Sequence, residues 1–358
     1  MAKDTFFDNK SILIIDKENK TSNDRTWCYW ANTDDEWQDV VTTSWENIIF
    51  KSDAIHLEES IAPFQYKMIR SADFYSKIRS FLEKKQNITF VLEVVQSIHQ
   101  EEEKAKVVTD KNEYITTTLL NSILFSNDYK QHTKYPLLQQ HFIGYFIKVK
   151  DNSFDNSTAT FMDFSIHQKG NTRFMYVLPI NKKEALFEYT LFSKDLLPVS
   201  EYKSEIENYL KKLNISDYEI TEVERGAIPM TCYPFWKQNT KNIINIGTAG
   251  GWTKASTGFT FKNTTRISSK LIEHLKAKKP LTNFHKKSRF WFYDLLLLDI
   301  LAEKNHLGAS IFSSMFQNIP PQKILQFLDE ETTFWEELKL FYRMPKLLFS
   351  RFLFKRIF

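Results

Sequence analysis

The sequence predicts an α/β fold of two domains, because its hydrophobic pattern changes along the 358 residues. Residues 1–134 mix short apolar runs with a helical stretch, and residues 240–280 return to that pattern. Residues 135–239 carry long segments of alternating apolar and polar residues, which favour an antiparallel sheet. Residues 281–358 have helical spacing. A chain of this length can bury two cores, so we expect two domains followed by a helical C-terminal region.

The first domain is predicted to begin with a buried strand. Residues 11–16, SILIID, form an apolar run that ends at Asp16. Residues 72–85 place apolar side chains on one face at helical spacing, which predicts a helix. The next predicted elements are a strand at 88–95, a hairpin over 104–120 and an apolar strand at 119–125.

The second domain is predicted from segments with the alternation of β-strands. The four longest are residues 141–150, 158–167, 172–180 and 184–193. A helix at 200–213 and a strand at 217–225 complete this domain before the chain returns to the first one.

Two carboxylates lie inside predicted strands of the second domain. Glu188 is in LFEYT, where alternation places it on one face with Leu186 and Thr190. A carboxyl on an apolar face is desolvated, which raises its pKa and keeps a proton available. Asp163, in TFMDF, has the same character on another strand, and the two could divide proton donation from charge stabilisation. The alternatives are a solvent-facing Glu188 and a structural Asp163 bonded to backbone or to an arginine.

Residues 245–263, NIGTAGGWTKASTGFTFKN, are the most informative stretch of the chain. Three glycines punctuate a tight loop after a buried strand: Gly247, Gly250 and Gly251. Ser256-Thr257-Gly258 is then predicted to open a helix that runs to about Lys278. Free backbone N–H groups and the helix dipole would make an anion site there, although a purely structural turn has the same pattern.

Further short motifs match one known family in order and spacing. They are Asn23-Asp24-Arg25-Thr26-Trp27, Lys67-Met68-Ile69-Arg70, Phe161-Met162-Asp163, Phe187-Glu188-Tyr189-Thr190 and Gly226-Ala227-Ile228-Pro229-Met230. Together with residues 245–263 they resemble the lycopene cyclases, a family of two-domain flavoproteins, over nearly the whole chain. The resemblance implies a Rossmann-like FAD-binding domain, an antiparallel-sheet substrate domain and a helical C-terminal region.

The resemblance implies FAD in its reduced form, with NAD(P)H serving only to keep it reduced. The residues implied to contact it are Asp16, Arg25, Gly247, Thr248, Ala249, Gly250, Ser256, Thr257 and Gly258. The G-x-G-x-x-G turn that normally holds the pyrophosphate is missing, since the first glycine of the chain is Gly144. We therefore expect an N-terminally incomplete FAD-binding domain. Either one strand-turn-helix unit of about 30 residues is truncated, or the chain is a degenerate member that lost the cofactor.

The resemblance also implies an activity, the non-redox cyclisation of the acyclic ends of lycopene to β-ionone rings. Glu188 is then the acid–base residue and Asp163 its electrostatic partner. One alternative is a flavin-dependent monooxygenase or halogenase, although Gly247-Thr248 stands where monooxygenases carry G-D, and the halogenase motif W-x-W-x-I-P is absent. The other alternative is a carotenoid- or lipid-binding protein without cofactor.

Composition and the C-terminal tail bear on partners and location. A net charge of +4 is too small to predict nucleic-acid binding. Cys28 and Cys232 predict neither a disulfide framework nor a zinc site.

The sequence has no signal peptide or bilayer-spanning run, so we expect a cytoplasmic protein. Residues 338–358 interleave basic and aromatic residues without an acidic one, which favours peripheral contact with the inner membrane or a terminal helix with a solvated basic face. Lycopene and other acyclic carotenoids are the implied partners.

Overall fold

The computed structural model describes residues 1–357 and has the predicted α/β fold. The strands are β1 Ile12–Asp16, β2 Thr26–Ala31, β3 Thr43–Trp45, β4 Asn47–Lys51, β5 His56–Ser60, β6 Gln65–Arg70, β7 Ile88–Leu92, β8 Val95–Glu101, β9 Lys104–Thr109, β10 Glu113–Thr116, β11 Leu119–Asn121, β12 Leu138–Val149, β13 Thr158–Asp163, β14 Thr172–Pro179, β15 Glu184–Ser193, β16 Tyr218–Met230 and β17 Ile243–Asn245. The helices are α1 Ser71–Leu82, α2 Asp128–Gln131, α3 Val199–Lys212, α4 Phe261–Lys276, α5 Arg289–Lys304, α6 Gly308–Asn318, α7 Pro321–Leu328, α8 Phe334–Tyr342 and α9 Lys346–Ile357.

The largest sheet has seven strands in the order β16-β12-β15-β14-β13-β4-β5. All neighbouring strands are antiparallel except β13 and β4, which are parallel. The four alternating segments of the sequence form its centre as β12 to β15. Strands β4 and β5 come from residues 47–60 and extend this sheet, a long-range pairing that the local sequence pattern does not encode.

The two faces of this sheet pack against different parts of the chain. On one face, Phe187 and Tyr189 contact the core under α3, which includes Ile206 and Leu210. On the other face, Leu186 belongs to the largest core, which the sheet shares with β2, β3, β6 and the helices α5 to α8. Each fully buried side chain of this size contributes roughly 1.5–3 kcal/mol of transfer free energy. The alternation along β15 therefore fixes which side chains reach which core.

Two further parallel pairs lie outside the seven-stranded sheet. Strand β1 pairs with β7, and β11 pairs with β17. The predicted strand at 119–125 ends at Asn121, because the side chain of Asn121 bonds to both the N–H and the carbonyl of Ile123 and turns the backbone. The hairpin predicted over 104–120 is formed by β9 and β10.

The C-terminal region is helical, as predicted. Helix α5 begins after Ser288, whose hydroxyl accepts from the N–H of Trp291, and α8 begins with a capping box between Thr333 and Glu336. Across residues 1–357, no helix combines the length and apolarity that crossing a bilayer requires.

Candidate functional site

A cavity of about 1200 Å³ lies between the seven-stranded sheet, the small sheet β2-β6-β3, and helices α1 and α4. It is larger than most small-molecule pockets, which measure roughly 300–1,000 Å³. Its sheet-side wall is mainly apolar and aromatic, with Tyr66, Phe142, Tyr176, Leu178, Leu186 and Ile228 among the lining residues. Two carboxylates interrupt this wall, Glu188 and Glu224. The cavity therefore combines space for a long apolar molecule with a source of protons.

Glu188 lies in the middle of β15 and faces the cavity, on the same side as Leu186 and Thr190, as alternation predicted. Only 9% of its surface is exposed. The hydroxyl of Thr190 donates to Oε1 of Glu188 at 2.7 Å. Burial raises the pKa of Glu188 well above its usual range, and the nearby charge of Glu224 raises it further. Both effects favour the protonated form of Glu188.

Glu224 on β16 makes a hydrogen bond with Glu188, although β12 lies between their strands. Gly144 of β12 is the register partner of both glutamates. A Cβ atom at Gly144 would lie 3.3 Å from Cβ of Glu188 and 3.2 Å from Cγ of Glu224. Because glycine has no side chain, the two carboxyl groups meet across the central strand.

The surroundings of Glu224 favour its charged form more than those of Glu188 do. The hydroxyl of Thr26 donates to Oε2 of Glu224 at 2.6 Å. Burial raises the pKa of Glu224, but the bonds from Thr26 and Glu188 and the positive charge of Arg70 oppose that rise. Arg70 is itself held by Glu222, with Nη2 and Oε1 2.5 Å apart, and stacks 4.0 Å from the ring centre of Phe146. The surroundings of the pair thus favour the protonated form at Glu188 and the charged form at Glu224.

Asp163 does not join this pair. Its Oδ2 accepts from the hydroxyl of Tyr209 in α3 at 2.7 Å, and its Oδ1 accepts from Ser165. It therefore faces the α3 side of the sheet, and β14 separates its strand from that of Glu188. A register shift between Thr160 and Asp163 breaks the regular alternation of side chains along β13. The predicted pairing of Glu188 with Asp163 is corrected to a pairing with Glu224.

The glycine-rich loop after β17 reaches the cavity through Gly247 and Thr248. Gly247 has φ +56°, and no atom lies within 4 Å of the position where a Cβ would stand. Ala249 and Gly250 are buried behind this turn and do not line the cavity. At Gly250 a Cβ would lie 2.2 Å from the carbonyl oxygen of Asn245, so the turn tolerates no side chain there.

The helix predicted to open at Ser256-Thr257-Gly258 begins later, at Phe261. Gly258 has φ +71°, a left-handed conformation that a helix cannot continue through. Ser256 is buried, and its hydroxyl donates to Oδ1 of Asp294 in α5 at 2.7 Å. Thr257 and Gly258 line the cavity. The predicted hydroxyl cap is therefore corrected to a loop that lines the cavity with Thr257 and Gly258 and bonds to α5 through Ser256.

The two remaining predicted cofactor residues are in different surroundings. Arg25 lines the cavity, and its backbone N–H donates to the hydroxyl of Ser71 at the start of α1. Asp16 does not line the cavity; its Oδ1 accepts from the backbone N–H of Glu18 at 3.0 Å. The structure thus brings Arg25 to the same cavity as the glycine loop and leaves Asp16 outside it.

The cavity lining fits one end of FAD better than the other. Gly247, Thr248 and residues 257–260 line the cavity beside its apolar wall, and the open space at Gly247 would let a flavin ring approach the backbone. Three buried polar atoms of the lining have no hydrogen-bond partner among residues 1–357 and could bond to a ligand: Nε1 of Trp37, Oε1 of Gln140 and Oγ1 of Thr264. Within residues 1–357, no G-x-G-x-x-G turn is present to hold a pyrophosphate. The residues present therefore fit the flavin end of the cofactor.

Sequence reasoning missed Glu224 and Gly144. Glu224 lies in a strand whose sequence, YEITEVERGAIPM, carries three other acidic or basic side chains and does not single it out. Gly144 stands inside the apolar run FIGYF, and a glycine in a strand interior is a signal of close approach by another group. The partners of that approach depend on the register of β12 with β15 and β16, which only the fold supplies.

Comparison with solved structures establishes the fold. A geranylgeranyl bacteriochlorophyll reductase-like protein from Thermoplasma acidophilum aligns with a TM-score of 0.60 and 10% identity, over 95% of this chain and 91% of that chain. A flavoprotein/dehydrogenase from Cytophaga hutchinsonii gives a TM-score of 0.60 and 10% identity, over 98% and 95%. The p-nitrophenol 4-monooxygenase from Pseudomonas putida gives 0.54 and 11% identity, over 96% and 92%.

The sequence itself has no match among curated proteins. A family model described as lycopene cyclase protein matches residues 8–353, which is nearly the whole chain. That span contains the glutamate pair, Gly144 and the glycine-rich loop. The chain therefore belongs to the lycopene cyclase protein family.

Proposed function

We propose that this protein is a lycopene beta-cyclase, an isomerase that closes the acyclic ends of lycopene into β-ionone rings without net electron transfer. The observation that carries the proposal is the buried carboxyl of Glu188 at the wall of a large apolar cavity, where burial raises its pKa. A carboxyl with a raised pKa is a proton donor at neutral pH. Membership of the family supports the choice of a carotenoid as substrate.

The proposed reaction begins with proton transfer from Glu188 to the terminal double bond of the polyene. The transfer leaves a tertiary carbocation, and the electrons of the nearby internal double bond then close a six-membered ring. Loss of a ring proton restores a neutral product, so the protein ends with the proton it started with. The ring of Tyr176, which lies beside Glu188 in the sheet register, offers an electron-rich face to the cation. The apolar wall excludes water, which would otherwise capture the cation.

FAD is part of this proposal, in its reduced form and with NAD(P)H only maintaining that state. Gly247, Thr248 and residues 257–260 would hold the flavin end, and Arg25 lies in the same lining. When bound and reduced, the flavin would add negative charge beside the cavity, which stabilises a carbocation. The protein's own residues supply the transferable proton and the dry surroundings.

Pigment analysis in a lycopene-accumulating bacterium tests the proposal. Expression of the wild-type chain should convert lycopene to β-carotene, and Glu188→Gln should reduce conversion at least about 100-fold, the usual contribution of a general acid. Glu184→Gln is a matched control, because Glu184 is on the same strand but pairs with Lys148 at the surface, 3.3 Å away. Full conversion by the Glu188→Gln variant would contradict the role of Glu188.

A second candidate function is a carotenoid- or lipid-binding protein without cofactor. The apolar lining of the cavity favours it, because such a lining suits a polyene whether or not a cofactor is bound. Such a protein would bind lycopene and leave it unchanged even with FAD and a reductant present. Absorbance of bound polyene together with unchanged pigment would identify this case, whereas copurified flavin would argue against it.

Contact with a membrane surface is proposed for helices α8 and α9. Trp335 and Tyr342 on one face of α8 are each 73% exposed, and Leu347 of α9 is 89% exposed. The ammonium group of Lys346 lies 3.3 Å from the ring centre of Tyr342, so charge and apolar surface adjoin. Basic residues beside exposed aromatic ones suit the interface of an anionic bilayer.

Flotation with vesicles of anionic phospholipid tests this contact. The double variant Trp335→Ser with Tyr342→Ser should bind the vesicles more weakly than the wild type. Leu196→Ser is the control, since Leu196 is an exposed apolar residue, 59% exposed, in the loop before α3 and outside both helices. Equal binding by both variants would contradict the contact.

A further inference from the structure

The carboxylate of Glu224 has no role in the proposed proton donation, although it borders the same cavity and bonds to the donor. Glu188 supplies a proton at the first step, and a base must remove a proton from the ring at the last step. The base must lie in the same cavity and be ionised when the cation forms. Glu224 lines the cavity, and the hydroxyl of Thr26 donates to it at 2.6 Å, which favours its ionised form.

We propose that Glu224 is a second catalytic residue, the base that removes the ring proton and returns it to Glu188 through their hydrogen bond. This inference rests on the proposed cyclase function. In each cycle the Glu188 O–H bond breaks and a substrate C–H bond forms; later a ring C–H bond breaks and its electrons form the ring double bond. The proton then on Glu224 passes to Glu188, so both carboxyls regain their starting states.

The geometry favours two carboxyls over one. After proton donation both glutamates are ionised beside a carbocation, and two adjacent negative charges stabilise it more strongly than one. Thr190 bonds to Glu188 and Thr26 bonds to Glu224, so each carboxyl is held by its own hydroxyl. Gly144 leaves the space in which the proton can pass between them. A glutamate that served only the stability of the fold would not need to line the cavity, as Glu224 does.

The other ionisable groups around the pair are neutral or already paired. Burial raises the pKa values of the Cys28 thiol on β2 and of the Tyr66 and Tyr176 hydroxyls on β6 and β14, so all three are uncharged at neutral pH. Arg70 and Glu222 form an ion pair beside Glu224. The charge of the glutamate pair is therefore set by the two carboxyls themselves and by the hydroxyls that hold them.

Product analysis of Glu224 variants tests the inference. Glu224→Gln keeps the shape and removes the base, so the cation should lose its proton elsewhere. We expect β-ring formation to fall at least about 100-fold, the range for general base catalysis, with rings of different double-bond position or hydroxylated ends in its place. Glu224→Asp should retain β-rings at a reduced rate. Glu219→Gln, on the exposed part of β16, should leave the products unchanged.

A uniform loss of all cyclic products in Glu224→Gln, with the fold intact, would overturn the base role, as would normal β-ring formation. A titration without substrate separates this inference from the proposed function. Infrared spectra of the carboxyl groups should show one protonated glutamate in the wild type at neutral pH. In Glu224→Gln that glutamate should titrate at lower pH, because the neighbouring negative charge is gone. An unchanged titration would overturn the coupling of the two groups even if the wild type forms no rings.

Discussion

Substituting Gly144 by alanine should separate the two glutamates without removing either carboxyl. The added methyl group would lie 2.8 Å from Cδ1 of Leu186, 3.2 Å from Cγ of Glu224 and 3.3 Å from Cβ of Glu188. Leu186 can turn away at a rotamer cost of about 0.5–1.5 kcal/mol. The contacts with Glu224 on β16 and Glu188 on β15 involve atoms near the backbone, so both glutamates must shift to relieve them. Overpacking of this kind costs about 1–3 kcal/mol in total.

Gly144→Ala should disturb the hydrogen bond between Glu188 and Glu224 more than it lowers the stability of the fold. A hydrogen bond to a charged group contributes about 1.5–3 kcal/mol, and the methyl group would press on Cβ of Glu188 and Cγ of Glu224, the atoms that aim the two carboxyls. We therefore expect the pKa of Glu188 to fall in Gly144→Ala, since its ionised neighbour moves away. Burial would still hold that pKa above the usual range for glutamate. β-Ring formation should decrease more than about tenfold.

Urea unfolding and infrared titration measure the two effects separately. The double variant Gly144→Ala with Leu186→Val removes the closest contact, because valine has no Cδ atom, and should regain part of the lost stability. In both variants, Glu188 and Glu224 should titrate independently of each other. A Gly144→Ala protein with wild-type stability and an unchanged glutamate titration would refute the idea that this glycine brings the carboxyls together.

Two further predictions concern the stability of the fold. Burial lowers the pKa of His141 to about 4, and its ring bonds to Tyr202 and Ser193, so the unfolded state binds more protons between pH 6.5 and 4. Stability should fall across that window as the pH falls, by about 1 kcal/mol at pH 5 after allowance for screening, and urea unfolding of His141→Gln should show a weaker pH dependence. Lys254 pairs with Asp294 at 3.0 Å in the core, so Lys254→Met should cost about 3–5 kcal/mol in thermal or urea unfolding, whereas adding Asp294→Asn should restore much of it.

The local sequence pattern was sufficient to predict β15, the strand that carries Glu188. Alternation over 184–193 gave the bounds of β15 and the face on which Glu188 lies. It failed for Asp163, because a register shift in β13 re-aims side chains without changing the composition of the strand. It also failed at Gly258, where a left-handed backbone delays the start of α4 until Phe261.

The local sequence pattern could not identify Glu224 as the partner of Glu188, for a different reason. Glu188 and Glu224 are separated along the chain and by one strand in the sheet, and they meet only through the register of β12. A single sequence specifies that register through long-range packing rather than through any short motif. The glycine at position 144 marked a close approach, but the approaching groups could be named only once the sheet order was known.

Cyclisation in D₂O is the most direct test of proton donation by Glu188. Lycopene would be supplied to the wild-type chain with FAD and a reductant, and the β-rings analysed by mass spectrometry. We expect one deuterium in each ring formed, because the carboxyl proton of Glu188 exchanges with D₂O between turnovers before it adds to the terminal double bond, and we expect no labelled ring from Glu188→Gln. Rings without deuterium, or equally labelled rings from Glu188→Gln, would contradict it.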